Sequence, residues 1–213
     1  MKRMVIVLAG VVAAATASLG VTAQAATTHR SPTAGLTRYN DTFSVQQPYN
    51  LKESDRFSVA NGVYSAWILK GDKPLSRGSH TGPRTEMRWA QNWRSGEHMF
   101  DADVLIDPGT EGTAIMQVKS NNKGEPIYLL VQHGDLYHGS NAKIASNVIG
   151  HWFHLTVDYN PSAGVAHVWI DNLLMFTRKV SGQGAQYYFK NGVYNLNGKR
   201  SETHWKNITF YRK

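Results

Sequence analysis

The amino-acid sequence predicts a single all-β domain in which two sheets pack as a sandwich. Short runs of β-branched and aromatic residues recur between clusters of Gly, Asn, Asp and Pro, which is typical of many short strands. Apolar residues also alternate with period two, most clearly at Phe153, Leu155, Val157 and Tyr159. No segment has the period of a helix of useful length, and no internal repeat or shift in composition marks a second domain.

Composition and charge limit the classes of function. The chain has 213 residues, of which 41% are hydrophobic and 18% charged, so collagen-like, coiled-coil and fully disordered proteins are excluded. It contains no cysteine, which excludes disulfides, cysteine-ligated metal sites and a thiol nucleophile. With 23 Lys and Arg against 15 Asp and Glu, the formal charge is +8. This charge favours an acidic partner without choosing among nucleic acid, anionic lipid and acidic polysaccharide.

Residues 1–25 are predicted to be a secretory signal peptide, so we expect an extracellular protein. Lys2 and Arg3 precede an apolar stretch from Val5 to Val21, and Ala23-Gln24-Ala25 places small residues where signal peptidase cuts. A membrane anchor is the alternative, but the apolar run is short for a span and is interrupted by polar residues. Secretion, together with Lys and Arg residues that are scattered along the chain, argues against nucleic acid as the partner.

Residues 26–38 are rich in Thr, Ser, Pro and Gly and are predicted to be a flexible leader, with the domain occupying residues 39–213.

An Asp171-Asn172 turn is expected to form a hairpin, since Asn tolerates the left-handed backbone that a tight turn requires. The ten predicted strands are Gly62–Leu69, Thr85–Trp93, Met99–Ile106, Thr113–Lys119, Ile127–Gln132, Trp152–Tyr159, Val165–Ile170, Leu174–Val180, Tyr187–Tyr194 and Trp205–Tyr211.

The first of three motifs with chemical interest is Arg84-Thr85-Glu86-Met87-Arg88. Side chains two apart on a strand share a face, so Arg84, Glu86 and Arg88 point the same way. One interpretation is that Glu86 merely neutralises two solvated arginines. The other is a row that binds carboxylates, in which Glu86 orients the two guanidinium groups toward an acidic sugar.

The second motif is Gln117-Val118-Lys119, in which Gln117 and Lys119 share one face of a strand while Val118 faces the core. Taken alone, a Gln and a Lys on the outer face of a strand are ordinary solvent-facing residues.

The third motif is Tyr187 to Asn195, which contains Asn191-Gly192. This dipeptide favours a type I′ hairpin turn. A continuous or bulged strand is the alternative, and it would place Tyr188, Lys190 and Tyr194 on one face. The residues alone leave both possibilities open.

The segment from Trp152 to Val180, a strand followed by a polar turn and a hairpin, resembles the concanavalin-A-like jelly rolls of lectins, glucanases and polysaccharide lyases. The three motifs, in this order, resemble the signature of the jelly-roll alginate lyases of polysaccharide lyase family seven, Arg-x-Glu-Leu-Arg, Gln-Ile-His or Gln-Val-His, and Tyr-Phe-Lys-x-Gly-x-Tyr. The glucuronan lyases of family twenty share the fold and are a close second. The matching residues are Arg84, Glu86, Arg88, Gln117, Tyr188, Phe189, Lys190, Gly192 and Tyr194.

The resemblance implies a curved sandwich with an open concave groove that cleaves a uronate polymer by β-elimination, with no cofactor and no metal. Arg84, Gln117 and Lys119 would neutralise the substrate carboxylate and stabilise an enolate-like transition state. Tyr194 would act as base, acid or both. The residues expected to bind flanking acidic sugars, or to support those that do, are Arg88, Glu86, Lys190 and Tyr188.

One position departs from the family, because Lys119 stands where the family has His. Other jelly-roll lyases are understood to use a Lys base, and His80 could supply an imidazole from a turn before Arg84. Tyr194, Lys119 and His80 are therefore all candidates for the base.

A non-catalytic carbohydrate-binding module or lectin for acidic glycans is the alternative function, since a retired enzyme would show the loss of the family His. A glucanase is disfavoured because its Glu-x-Asp-x-Glu pattern is absent and Asp101 and Asp103 are the nearest approach. We expect a secreted lyase with an anionic polysaccharide as substrate, no nucleic-acid or membrane partner, and a monomeric state by default.

Overall fold

The structure, a computed structural model, describes residues 31–121, 124–180, 185–197 and 199–213, so the predicted signal peptide lies outside the described residues. One turn of 3-10 helix, Glu53–Asp55, follows the second strand. The strands are β1 (Thr37–Tyr39), β2 (Phe43–Gln46), β3 (Phe57–Ala60), β4 (Val63–Ile68), β5 (Arg84–Trp89), β6 (His98–Ile106), β7 (Thr113–Ser120), β8 (Ile127–Gln132), β9 (Asp135–His138), β10 (Ala142–Ala145), β11 (Trp152–Asn160), β12 (Val165–Ile170), β13 (Leu173–Lys179), β14 (Tyr187–Asn195) and β15 (Ser201–Arg212).

These strands form two antiparallel sheets that pack as a jelly-roll sandwich, which confirms the predicted fold class. The seven-stranded sheet has the order β10-β9-β8-β7-β14-β5-β2. The eight-stranded sheet has the order β13-β12-β11-β6-β15-β4-β3, with β1 paired to β15. All three motifs lie on adjacent strands of the seven-stranded sheet, although they are far apart in sequence. The described residues include no helix with the length and hydrophobicity that a membrane span requires.

The core lies between the two sheets and is rich in large side chains. Phe100 and Trp205 of the eight-stranded sheet and Met116 and Phe189 of the seven-stranded sheet are at most 1% exposed. Phe100 contacts both Trp205 and Phe189, with ring centroids 5.8 and 6.0 Å apart. Burial of each such side chain contributes about 1.5–3 kcal/mol, so the core can hold the fold without disulfides.

The ten predicted strands are confirmed within a few residues at their ends, and β1, β2, β3, β9 and β10 were missed. The predicted leader needs a correction at its end. Thr37 and Arg38 lie in β1, where Thr37 pairs with Arg212 near the end of β15. The pairing with a long strand stabilises this segment despite its polar composition.

Two turn predictions had different outcomes. The Asp171-Asn172 hairpin is confirmed, because these residues join β12 to β13 with φ values of 50° and 64°. Asn191-Gly192 does not form a turn, and β14 continues through both residues with a register shift between Asn191 and Tyr194. The bulged strand is therefore the correct alternative.

The outer face of β11 is less exposed than alternation alone predicts. Thr156 is fully buried and Asp158 is 3% exposed, while Trp152 is exposed. Each buried polar group has a partner, since Thr156 Oγ1 donates to Asp101 and Asp158 accepts from the backbone N–H of His167.

Candidate active site

The candidate site is built on a row of paired residues that crosses five strands on the outer face of the seven-stranded sheet. Core residues occupy the alternate positions of these strands, so the row faces away from the core. From β2 to β8, the row consists of Ser44, Arg88, Lys190, Gln117 and Tyr128.

A buried polar cluster around Glu86 lies at the centre of this face. Glu86 is 1% exposed, and Gln117 and Lys190 are each 3% exposed. Gln117 Nε2 donates to Glu86 Oε1 at 2.5 Å, Lys190 Nζ forms an ion pair with Glu86 Oε2, and Arg84 Nη1 lies 3.5 Å from the same oxygen. A buried carboxylate is tolerated when it is paired and hydrogen-bonded in this way.

The cluster corrects two expected roles. Lys190 was expected to bind a flanking sugar, but its ammonium is buried against Glu86. Burial lowers the pKa of Lys190 from its ordinary value, while the Glu86 carboxylate opposes this shift. Glu86 was expected to orient both arginines, yet it contacts only Arg84 among them in the described part of the chain. Glu86 and Lys190 therefore form a buried ion pair below the more exposed residues of this face.

Two arginines stack on tyrosines above this cluster. The guanidinium carbon of Arg84 lies 4.0 Å from the ring centroid of Tyr194, and that of Arg88 lies 3.9 Å from that of Tyr188. Arg88 also donates from Nη2 to Asn92 Oδ1 at 2.6 Å. Such contacts fix the guanidinium planes, so less side-chain entropy is lost when they bind an anion. Arg84 Nε is buried and has no hydrogen-bond partner among the described residues.

Gly192 allows β14 to place Tyr194 opposite Arg84. Gly192 has a φ of 134° and pairs with Glu86 of β5, where a Cβ atom would overlap the carbonyl oxygen of Thr85. The pairing of β14 with β5 continues through Gly192 without a register shift, so Tyr194 lies opposite Arg84, and the bulge between Asn191 and Tyr194 is confined to the pairing with β7. A glycine is therefore required at this position by both conformation and space.

Lys119, at the family His position, forms an ion pair with Glu125 from the segment that leads into β8. Arg178 of the eight-stranded sheet anchors this segment, because its Nη1 donates to the carbonyl oxygens of Glu125 at 3.0 Å and Pro126 at 2.9 Å. The Lys119 ammonium thus already has a carboxylate partner on the site face.

His80 is not brought into the cluster. Its side chain is exposed in the segment before β5, and it makes no hydrogen bond or ion pair with the other described residues. The same segment does reach the site, because a Cβ atom at Gly82 would lie 3.6 Å from the Tyr194 ring.

Two residues on this face were missed by sequence reasoning. Tyr128 pairs with Gln117, and Gln46 pairs with Glu86. Burial raises the pKa of Tyr128, and electrostatic interactions with Tyr194, Glu86 and Glu125 raise it further. Alternation with buried Ile127 and Leu129 is the sequence signal that could have placed Tyr128 on this face.

The charges on this face do not balance. Among the described residues around Glu86 and Lys119, four cations exceed two carboxylates, which leaves a formal excess of positive charge for an anionic ligand. Arg84, which stacks on Tyr194, and Gln117, which contacts the same Glu86 carboxylate, have further N–H groups that could bind a carboxylate. The charged residues are Arg84, Arg88, Lys119, Lys190, Glu86 and Glu125.

A cluster of potential metal ligands lies elsewhere, where β15 begins. Ligand atoms of Asp107, Glu202 and His204 lie within 4.8 Å of one another. Arg200 forms ion pairs with both carboxylates, at 3.5 Å in the case of Asp107. The cluster is therefore explained as a compensated ion-pair network.

Comparison with known proteins agrees with this architecture. The chain is 34% identical to a citrate-binding protein from Hevea brasiliensis over 85% of this chain and 79% of that protein. It superposes on an alginate lyase of polysaccharide lyase family seven with a TM-score of 0.67 and 18% identity, covering 81% of this chain and 94% of the other. An alginate lyase from Pseudomonas aeruginosa gives a TM-score of 0.64 and 15% identity, with coverage of 81% and 98%.

At 18% and 15% identity, these structural matches establish the fold and not the activity. The sequence profile of the family described as alginate lyase matches residues 38–212, which is nearly the whole described domain. On this match, the chain belongs to the alginate lyase family.

Proposed function

We propose that the protein is a secreted polysaccharide lyase that cleaves an anionic uronate polymer by β-elimination. The observation that carries the proposal is the convergence of Arg84, Gln117 and Tyr194 around buried Glu86 on a face with excess positive charge. These are three of the residues that the family signature contains. The known fold of the family supports the same class of chemistry without choosing the uronate.

The geometry suits stabilisation of a carboxylate whose neighbouring carbon loses a proton. Arg84 and Gln117 are held by Glu86, so they are preorganised donors that need little reorientation when charge develops on the substrate. Tyr194 lies beside Arg84 and transfers the proton as the general base. Arg88, with its ring partner Tyr188, binds the carboxylate of a second sugar along the polymer.

The test is incubation of the protein with mannuronate blocks, guluronate blocks, polyglucuronate and a neutral β-glucan, with ultraviolet absorbance of the unsaturated product as the readout. Product from one acidic polymer and none from the glucan would support the proposal and identify the substrate. Absence of product from every polyuronate would contradict it. Arg84→Lys serves as a variant that keeps the charge but loses the planar fork, and it should lower turnover strongly.

Binding of polycarboxylates without turnover is the second candidate. It is favoured by Lys119 in place of the family His, by its ion pair with Glu125, and by the relative named as a citrate-binding protein. Calorimetric titration with citrate and with each polyuronate would distinguish the two. Saturable binding with no unsaturated product would replace the lyase by a carboxylate-binding protein, whereas product formation would exclude this candidate.

A further inference from the structure

Tyr128 is a tyrosine of the site that the family signature does not contain. It lies on β8 and pairs directly with Gln117 of β7, so it extends the row of site residues by one strand. Gln117 in turn pairs with Lys190 of β14 and donates to Glu86, so Tyr128 lies on the same face as the buried cluster and one strand from its centre. Resting on the proposed lyase function, we propose that Tyr128 is a second catalytic residue, the general acid that protonates the departing glycosidic oxygen.

The phenols of this protein differ in how their hydroxyls are used. Those of Tyr39 and Tyr159 are buried without a hydrogen-bond partner among the described residues, so solvent and substrate do not reach them. Tyr128 and Tyr194 are only partly buried, and neither hydroxyl bonds to a described residue. These two hydroxyls therefore retain their donor and acceptor capacity for a substrate.

The ion pair at Lys119 leaves the acid role open. Lys119 occupies the family His position, but its ammonium is paired with Glu125, and the backbone of Glu125 is anchored by Arg178. A lysine held in this way acts as a fixed charge near the substrate carboxylate. With Tyr194 taking the proton as the base, Tyr128 is a second phenol on this face that can serve as the acid, and it lies on the strand that Glu125 leads into.

A protonated phenol suits the task. Burial and the neighbouring negative charges raise the pKa of Tyr128, so it keeps its proton until the leaving oxygen develops charge. In the reaction, Tyr194 takes the proton from the carbon next to the carboxylate, and the C–H electron pair forms the new C=C bond. The C–O bond to the leaving sugar breaks, its electron pair stays on oxygen, and that oxygen takes the proton of Tyr128. Proton exchange with water then resets both phenols.

The experiment compares Tyr128→Phe with the wild-type protein on two substrates, the polyuronate it cleaves and a uronate glycoside with fluoride at the leaving position. Fluoride departs without full protonation, so it depends little on a general acid. We expect Tyr128→Phe to lower kcat on the polymer by about 10²-fold with KM unchanged, and on the fluoride by less than about tenfold. Tyr194→Phe should lower kcat on both substrates, because the base is needed in each case.

Tyr137→Phe is the matched control. Tyr137 lies one strand further along the same face and pairs with Leu130, two residues from Tyr128. It should leave kcat unchanged on both substrates.

Three outcomes would overturn the assignment alone: full activity of Tyr128→Phe on the polymer, equal losses on both substrates, or an altered far-ultraviolet circular dichroism spectrum that accounts for the loss. A wild-type protein that forms no product from any polyuronate would overturn the proposed function, and this assignment with it.

Discussion

The two outer faces of the sandwich carry polar rows of similar composition that differ in how their charges are balanced. On the eight-stranded sheet, His154 lies between two carboxylates, with Nε2 2.9 Å from Asp101 and Nδ1 2.9 Å from Asp103. Asn207 donates to Asp103 and Thr156 donates to Asp101, so the carboxylates are satisfied from several sides. This network is closed and leaves little capacity for a ligand.

On the seven-stranded sheet, one carboxylate organises the centre of the face while further cations surround it. Lys190 and Gln117 bind the two oxygens of Glu86. Arg84 only shares this carboxylate, at 3.5 Å, and Arg88 forms no ion pair with a described residue, while both stack on tyrosine rings. Alternation of polar residues thus predicts a polar face, whereas the balance of charges decides whether that face can bind an anion.

The largest effect is expected for Tyr194→Phe, which should lower kcat by about 10²- to 10⁴-fold. Phe retains the ring against Arg84, so fold and polyuronate binding should be preserved. Product formation and calorimetric binding measure the two effects separately. Tyr211→Phe, on the outer face of the eight-stranded sheet, is the control and should keep full activity. Equal activity of the two variants would remove Tyr194 from the reaction.

Glu86→Gln should destabilise the fold by about 3–5 kcal/mol, because it leaves the Lys190 ammonium buried without a carboxylate. Urea denaturation measures the free energy of unfolding. The double variant Glu86→Gln with Lys190→Met should recover part of this loss, since it removes the unpaired charge. Asp135→Asn breaks a solvent-screened pair with Lys143 and should change the free energy of unfolding very little. A similar cost for both single variants would show that the Glu86 cluster is not structurally special.

Much of the fold could be predicted from the sequence because the long strands alternate over many residues. The missed strands β2, β3, β9 and β10 have only four residues each, which is too short for period two to be distinct. Alternation also placed Glu86 and Lys190 on the correct face. It could not give their depth, which depends on the neighbouring strands that cover them.

The turn signal at Asn191-Gly192 failed for a tertiary reason. Gly192 is needed because β5 approaches closely at Thr85, and this close approach competes with the local preference for a hairpin. Tyr128 was missed because no motif marks it, and its relation to Gln117 exists only through strand pairing.

A smaller effect is expected from the His154 network on the eight-stranded sheet. Hydrogen bonding to Asp101 and, to a smaller extent, to Asp103 raises the pKa of His154 to about 9, although burial opposes this shift. A raised pKa in the folded state means that the stabilisation is fully present below the ordinary value of 6.5 and is lost as pH rises through about 9. Because the imidazole is partly exposed, solvent screening leaves about 1–2 kcal/mol. His154→Gln should therefore lower the free energy of unfolding by this amount near pH 6. Near pH 10 only the change in side-chain packing should remain. His133→Gln, whose imidazole is 84% exposed, should show no such dependence in urea denaturation.

The smallest effect compares one cation–aromatic pair on each face. Arg88 lies 3.9 Å from the Tyr188 ring centroid on the seven-stranded sheet, and Lys206 lies 4.2 Å from that of Trp152 on the eight-stranded sheet. Arg88→Gln should weaken polyuronate binding about two- to fivefold at low salt, and the difference should shrink as salt screens the charge. Lys206→Gln removes the same charge from the other face and should leave the affinity unchanged. If both variants weaken binding equally, the polymer responds to net charge alone, and the open face has no privileged role in recognition.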